Sequence, residues 1–227
     1  MCILVLGSKP NAEVPLFDYK AIYVANTAGA ALYDTGLEKH HNINVIIASG
    51  QPRKKGVVEA VAALNPRRVI VRGDKCYSEN VFGAVLPNAV LENHSSRVQW
   101  SLQLKTLGLR VITAECRKSN RITGVFAKPI RMLLGDKPKG VSTGLYCLMI
   151  ALSENEKEKV LVSGISLQSG GHHGDDGKFG AGRALVDYYS LPLFRKFCGR
   201  IFSTEASVRE RLACIKDASE FLDPIIE

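Results

Sequence analysis

The chain has 227 residues, 46% of them hydrophobic and 23% charged, with a formal net charge of +8. This length can bury a sizeable core, and the composition excludes a disordered or fibrous chain. The longest apolar helical stretch, near Leu145 to Leu152, is far below the ~20 residues that span a bilayer, and the N-terminal apolar run ends at Leu6 with no basic leader. A soluble protein, at most peripheral to a membrane, is expected.

"MCILVLG" is an apolar run closed by glycine and followed by polar "SKPN", a buried strand feeding a loop. "KAIYVAN" repeats that form, ending at Asn26, and "AGAALYD" is compatible with a helix. "NINVIIASG" reads as a third strand. "KKGVVEAVAALN" places Val57, Val61 and Leu64 on one helical face and is stopped by Asn65-Pro66, before a fourth strand in "RRVIVRG". Residues 74–136 are less regular. Within them "SSRVQWSLQLKTLG" has the form of a helix with a serine cap and a glycine stop, and "LRVITAE" that of a strand. A helix then opens at Ser142, followed by the strand "EKVLVSGIS" and a glycine-rich loop with two histidines. The helix "AGRALVDYYSLPLFRKF", broken near Pro192, leads to the strand "RIFST" and a last helix from Glu205.

Strands that are continuously apolar and alternate with helices predict a mostly parallel sheet covered by helices on both faces. With no internal repeat or linker, residues 1–227 read as a single Rossmann-like α/β domain. Ligands of such sheets collect at the carboxyl ends of the strands, so the loops after Leu6, Val24 and Gly164 and the turn at Ser142 should surround one crevice.

The six cysteines are scattered without a C-x-x-C pair, which predicts no disulfide framework or zinc cage and a cytoplasmic location. The positive charge is concentrated between Arg117 and Lys139, where seven basic residues face one acid, Asp136. That run leads into the helix at Ser142 and suits an anionic ligand.

Four stretches could carry chemistry. "VLGSKPN" offers Gly7 for close backbone approach and Ser8 as a donor, but is neither a G-x-G-x-x-G nor a Walker loop. Asn26 is a turn former or a base- or ribose-reading amide. Ser142-Thr143-Gly144 caps an apolar helix, and the N–H groups of a helix start also receive anions. "SGGHHGDDG" carries His172, His173, Asp175 and Asp176; a general base suits it better than a metal site, whose ligands need a more specific spacing.

Gly7-Ser8-Lys9-Pro10-Asn11, Asn26, Ser142-Thr143-Gly144 and "LVSGIS" together resemble the skeleton of the bacterial sialyltransferases and related CMP-sugar-dependent glycosyltransferases, which use sialic acid or Kdo donors. The match is clearest over residues 141–165 and looser over 3–26. Three departures stand out: the first loop is G-S-K-P-N where the family has G-x-G-P-S, Ser166 stands in the place of an aspartate, and the histidines follow the strand more closely than in the family. The resemblance implies a glycosyltransferase variant of the Rossmann-like fold with no cofactor and no catalytic metal. It implies that Gly7, Ser8, Asn26 and Gly164 line the nucleotide pocket and that Ser142, Thr143 and Gly144 hold the CMP phosphate. His172 or His173 would be the base that deprotonates an acceptor hydroxyl. The implied partners are a CMP-sugar donor and a glycan or lipid-linked acceptor, with peripheral contact at the inner membrane face and no nucleic acid. Two other classes compete. MptE-like pterin diphosphokinases share the strand–"STG"–strand form and would need Mg²⁺, with Asp175 and Asp176 as ligands. A non-catalytic nucleotide- or polyanion-binding module would use the charge alone.

Overall fold

In the computed structural model, residues 2–9, 11–48, 50–73, 77–107, 141–167, 187–188 and 190–222 are described. They build one sheet of eight strands in the order β5-β4-β3-β2-β1-β6-β7-β8, with every neighbouring pair parallel. The strands are β1 (Cys2–Leu6), β2 (Tyr19–Ala25), β3 (Ile43–Ala48), β4 (Arg68–Arg72), β5 (Val90–Asn93), β6 (Lys159–Ser163), β7 (Ile201–Ser203) and β8 (Lys216–Asp217). Parallel neighbours need crossovers that place helices over the sheet, so both faces are covered and the central strands are buried over most of their length. All five residues of β1 are buried.

The helices are α1 (Val57–Ala63), α2 (Tyr77–Phe82), α3 (Ser96–Leu107), α4 (Thr143–Glu154), α5 (Ala206–Arg211) and α6 (Ser219–Leu222), with 3-10 helices at Ala28–Thr35, Leu37–Lys39, Gln51–Arg53 and Leu191–Arg200. Two apolar clusters flank the sheet. One joins Ile3, Val5, Tyr23 and Val162 to α4, and the other joins Leu4, Leu6, Val24 and Val45 to Leu32, Val61 and Phe82. A helix that is apolar all round must be covered all round. Accordingly every residue of α4 from Thr143 to Leu152 is buried, with the sheet on one side and Leu102 of α3 packed against the same cluster.

The strand–helix alternation expected from the sequence is present, and so is the Rossmann-like α/β class. Val57, Val61 and Leu64 are buried on one face of α1, and Asn65 takes a left-handed φ of 42° that ends it. The "AGAALYD" segment is helical as expected, in the form of a 3-10 helix. Two expectations differ from the structure. The irregular stretch after residue 74 contains α2 and β5; β5 is an edge strand with no fully buried residue, so no apolar run announced it. The single last helix is α5, the two-residue β8 and α6, because Asp217 caps a new turn through the Ser219 N–H and hydroxyl. "LRVITAE" and the basic run from Arg117 to Lys139 lie outside the described residues.

Cysteine usage also needs correction. Cys198 and Cys214 form a disulfide, with Cα atoms 5.3 Å apart, between the end of the 3-10 helix Leu191–Arg200 and the approach to β8. A pair brought together by tertiary packing carries no spacing signature, which is why the scatter suggested none. The step from scattered cysteines to a reducing compartment loses its premise. Cys2 and Cys147 are buried free thiols, and burial pushes the Cys2 thiol up to about 11. No helix among the described residues is long and apolar enough to cross a membrane.

Candidate functional site

In the sheet order, the chain runs from β1 outward to β5 and then returns to lay β6 on the other side of β1. The topological switch point therefore lies between β1 and β6, where the loops leaving the two carboxyl ends should diverge and leave a crevice. Gly7 follows β1 and Gly164 follows β6. The helix that feeds β6, α4, starts beside them.

The three glycines are packed against one another. A Cβ on Gly7 would lie 2.3 Å from the Gly164 carbonyl oxygen, and one on Gly144 would lie 3.4 Å from Gly7 Cα and 3.2 Å from Ile165 Cγ1. Gly164 is also left-handed, with φ of 69°, which suits a residue without a Cβ. The room expected at Gly7 and Gly144 for a ligand is thus taken up by the contact of β1, β6 and α4. The Gly7 N–H donates to Ser163 O at 2.8 Å and the Lys9 N–H to Gly164 O at 2.9 Å, so the two loops stay paired beyond the strands. Glu205, after β7, is buried and bridges both: its Oε1 accepts from the Gly164 N–H at 3.1 Å and its Oε2 pairs with Lys9 Nζ at 2.5 Å.

Ser8 and Asn26 are brought together across the ends of β1 and β2. Ser8 Oγ donates to Ala25 O at 3.2 Å and accepts from Asn26 Nδ2 at 3.2 Å, while Asn26 Oδ1 accepts from the Ala48 N–H at 3.0 Å. Asn26 is left-handed, with φ of 55°, a conformation asparagine tolerates better than most residues. Its amide therefore fastens three strand ends, and the turn-former role expected from sequence is present.

At the start of α4, Ser142 is the N-cap, its hydroxyl accepting from the Leu145 N–H at 3.2 Å. The Ser142 N–H donates to Oδ1 of buried Asp187 at 2.8 Å. The N–H groups of Thr143 and Gly144 belong to the first turn, where no preceding helical carbonyl can accept them. Beside Thr143 stands Arg72, at the carboxyl end of β4. Its Nη1 donates to Val141 O at 3.1 Å and lies 3.5 Å from Thr143 Oγ1; its Nε donates to Gln99 Oε1 at 3.0 Å. The guanidinium carbon sits 4.4 Å from the centre of the Tyr146 ring, a cation–π contact that holds it flat against α4. The helix start is thus flanked by an arginine and by a carboxylate.

Behind Arg72 a polar chain runs between α4 and the sheet. The Tyr146 hydroxyl meets His94 Nδ1 at 2.9 Å, His94 Nε2 meets Glu92 at 3.1 Å, Glu92 pairs with Arg68, and Arg68 holds Glu154 through both guanidinium nitrogens. The Tyr23 hydroxyl donates to the same Glu154 at 2.8 Å. Burial lowers the His94 pKa against the opposing pull of Glu92, and burial raises the Tyr146 and Tyr23 hydroxyls.

Of the residues singled out by sequence, Gly7, Ser8, Asn26, Ser142, Thr143, Gly144 and Gly164 converge on the switch point. His172 and His173, with Asp175 and Asp176, lie outside the described residues. Arg72, Asp187 and Glu205 were missed. Arg72 ends a short apolar strand just before a glycine, where an arginine is an ordinary surface residue, and the two acids sit in segments with no motif at all. Among the described residues no group of three or more histidines, cysteines or carboxylates is placed to hold a metal. Comparison with protein-family models, curated proteins and solved structures yields no match to this chain.

Proposed function

We propose that the chain is an inverting glycosyltransferase that moves a CMP-activated 2-keto sugar acid to a hydroxyl of a glycan or lipid-linked acceptor. The observation that carries this reading is the start of α4 at the sheet's switch point, packed against the loops of Gly7 and Gly164 and beside Arg72. The sequence resemblance implies a CMP phosphate at the same residues.

The chemistry asks for stabilisation of a leaving phosphate. As the glycosidic bond breaks through an oxocarbenium-like transition state, negative charge grows on CMP. The first-turn N–H groups of Thr143 and Gly144, the Thr143 hydroxyl and the Arg72 guanidinium are fixed before the reaction and can meet that charge as it develops. The Asp187 carboxylate opposes an anion, and in this reading its work is to hold the Ser142 N–H and with it the direction of the first turn. In the same reading a histidine of the 172–173 pair takes the acceptor proton as attack proceeds.

The test is a ligand screen by thermal unfolding in EDTA. CMP or CTP at about 100 times its Kd should stabilise the protein by ~2.7 kcal/mol, and UDP, GDP and NAD should not. The double variant Ser142→Ala, Thr143→Ala should lose ~1 kcal/mol of stability as a lost cap and lose transfer by ~3 kcal/mol in rate as a lost transition-state donor. Absence of any shift with cytidine nucleotides would overturn the proposal. Stabilisation by ATP only with Mg²⁺ would assign the diphosphokinase reading instead.

A further inference from the structure

A concave site lies at the other end of α4. Twelve residues at ~1.5 Å each put it roughly 18 Å from Ser142. It is a cleft of about 270 Å³ where the last turn of α3, the C-terminal end of α4 and the 3-10 helix Leu191–Arg200 meet. Three cations line it from two sides: Lys105 of α3, and Lys196 and Arg200 of the 3-10 helix. The one acid on its wall, Glu156, forms no ion pair with any of them among the described residues.

Part of this charge has a local explanation. Helix C-termini attract cations, and Arg200 donates from Nε to Glu158 O at 3.0 Å and from Nη2 to Asn155 O, just past the end of α4. Lys105 sits in the last turn of α3. Two observations are not covered by that account. The Lys196 ammonium lies 4.8 Å from the centre of the Phe197 ring, and the Arg200 guanidinium lies 5.9 Å from the same ring, so one aromatic ring holds two like charges near each other. Thr106, on the cleft wall, is 3% exposed, and its hydroxyl has no hydrogen-bond partner among the described residues. A buried hydroxyl left without a partner is costly, and it is tolerated best where an occupant completes it.

We infer that this cleft is a phosphate-binding site, separate from the switch-point site and independent of the activity proposed for it. Cations arriving from two elements around one cleft suit a tetrahedral oxyanion whose oxygens point in several directions. A planar carboxylate would be matched by one arginine fork, and Arg200 already spends two of its nitrogens on backbone carbonyls. A concave wall of one dominant sign also concentrates such an anion. The phosphate can be free or can be the phosphomonoester of a lipid headgroup such as phosphatidic acid, and both present a terminal phosphate able to carry two negative charges.

The experiment uses the full chain. Inorganic phosphate is titrated at constant ionic strength against chloride, followed by thermal unfolding and by phosphorus NMR line broadening. Sedimentation with phosphatidylcholine vesicles, with and without phosphatidic acid, forms a second arm. Lys105→Glu with Lys196→Glu changes two ammonium groups on the cleft wall and should weaken phosphate by about tenfold or more, because each charged hydrogen bond lost is of that order. CMP stabilisation should stay as in the wild type, which separates this site from the switch-point site. Thr106→Val, tested alongside, should weaken phosphate without altering the net charge. Binding to free phosphate, or to phosphatidic acid vesicles alone, that falls in these variants supports the site and names its source. Phosphate that binds neither free nor on vesicles, or that binds the variants as well as the wild type, overturns it.

Discussion

A methyl group on Gly7 would meet the Gly164 carbonyl at 2.3 Å and Ile165 Cγ1 at 2.8 Å, and the Gly164 backbone is held by the sheet and by Glu205. Backbone cannot yield as a flexible side chain does, so Gly7→Ala should cost about 1–3 kcal/mol by overpacking. A methyl group on Gly199 would have nothing within 4 Å, and Gly199→Ala should stay within about 0.5 kcal/mol. Urea unfolding of the two variants checks the contrast, and equal effects would mean that the glycine contact is not a packing constraint. Gly7 also shows where reading from sequence stops. That a glycine follows β1 is evident from "MCILVLG". Whether its missing side chain admits a ligand or a second backbone depends on Gly164, far along the chain, and no local pattern records that partner.

At the scale of elements, α4 and the strands beneath it are joined by the chain from Tyr146 through His94 and Glu92 to Arg68 and Glu154. The groups facing His94 are the Tyr146 hydroxyl, Glu92, and more remotely Arg68 and Glu154. Burial, the largest influence, lowers its pKa from the ordinary 6.5, so the folded protein resists a proton that the unfolded chain accepts. Above that value both states are neutral and His94 contributes nothing. As pH falls below about 6.5 the unfolded state gains protons first, and stability declines. Urea unfolding at a series of pH values should show this loss in the wild type and less of it in His94→Gln; identical profiles would place the acid sensitivity elsewhere. Most elements were legible because their burial is local in origin: β1, β2, β3, β4 and β6 are apolar runs, and α4 pairs a serine cap with an apolar body. The β5 strand and the Glu92–His94 pair at its end were not, since "VLEN" is an edge strand whose polar neighbours meet a helix rather than water, and hydropathy reads them as loop.

At the scale of the whole molecule, the far edge of the sheet is made of short pieces, a three-residue β7 and a two-residue β8, and the Cys198–Cys214 bond joins the approach to β7 to the approach to β8. Closing a loop of this size restricts the unfolded chain, and its loss should lower stability by up to about 3 kcal/mol. Unfolding with and without reductant, repeated on Cys198→Ser with Cys214→Ser, checks this; a variant as stable as the oxidised wild type would show that the bond contributes nothing. The placement of β1 carries a further consequence, for synthesis. Among the eight strands of the sheet β1 is made first, and one of its two neighbours, β6, begins at Lys159. At ribosomal speeds of about 5–20 residues per second, roughly 8–30 s separate the two strands. During that interval the β2 side of β1 can pair while its other edge, Cys2 to Leu6, waits with open hydrogen bonds and apolar side chains. A nascent chain halted before residue 159 would hold β1 to β5 and none of β6, β7 and β8, so the glycine contact beside the proposed site cannot form until synthesis has passed Gly164.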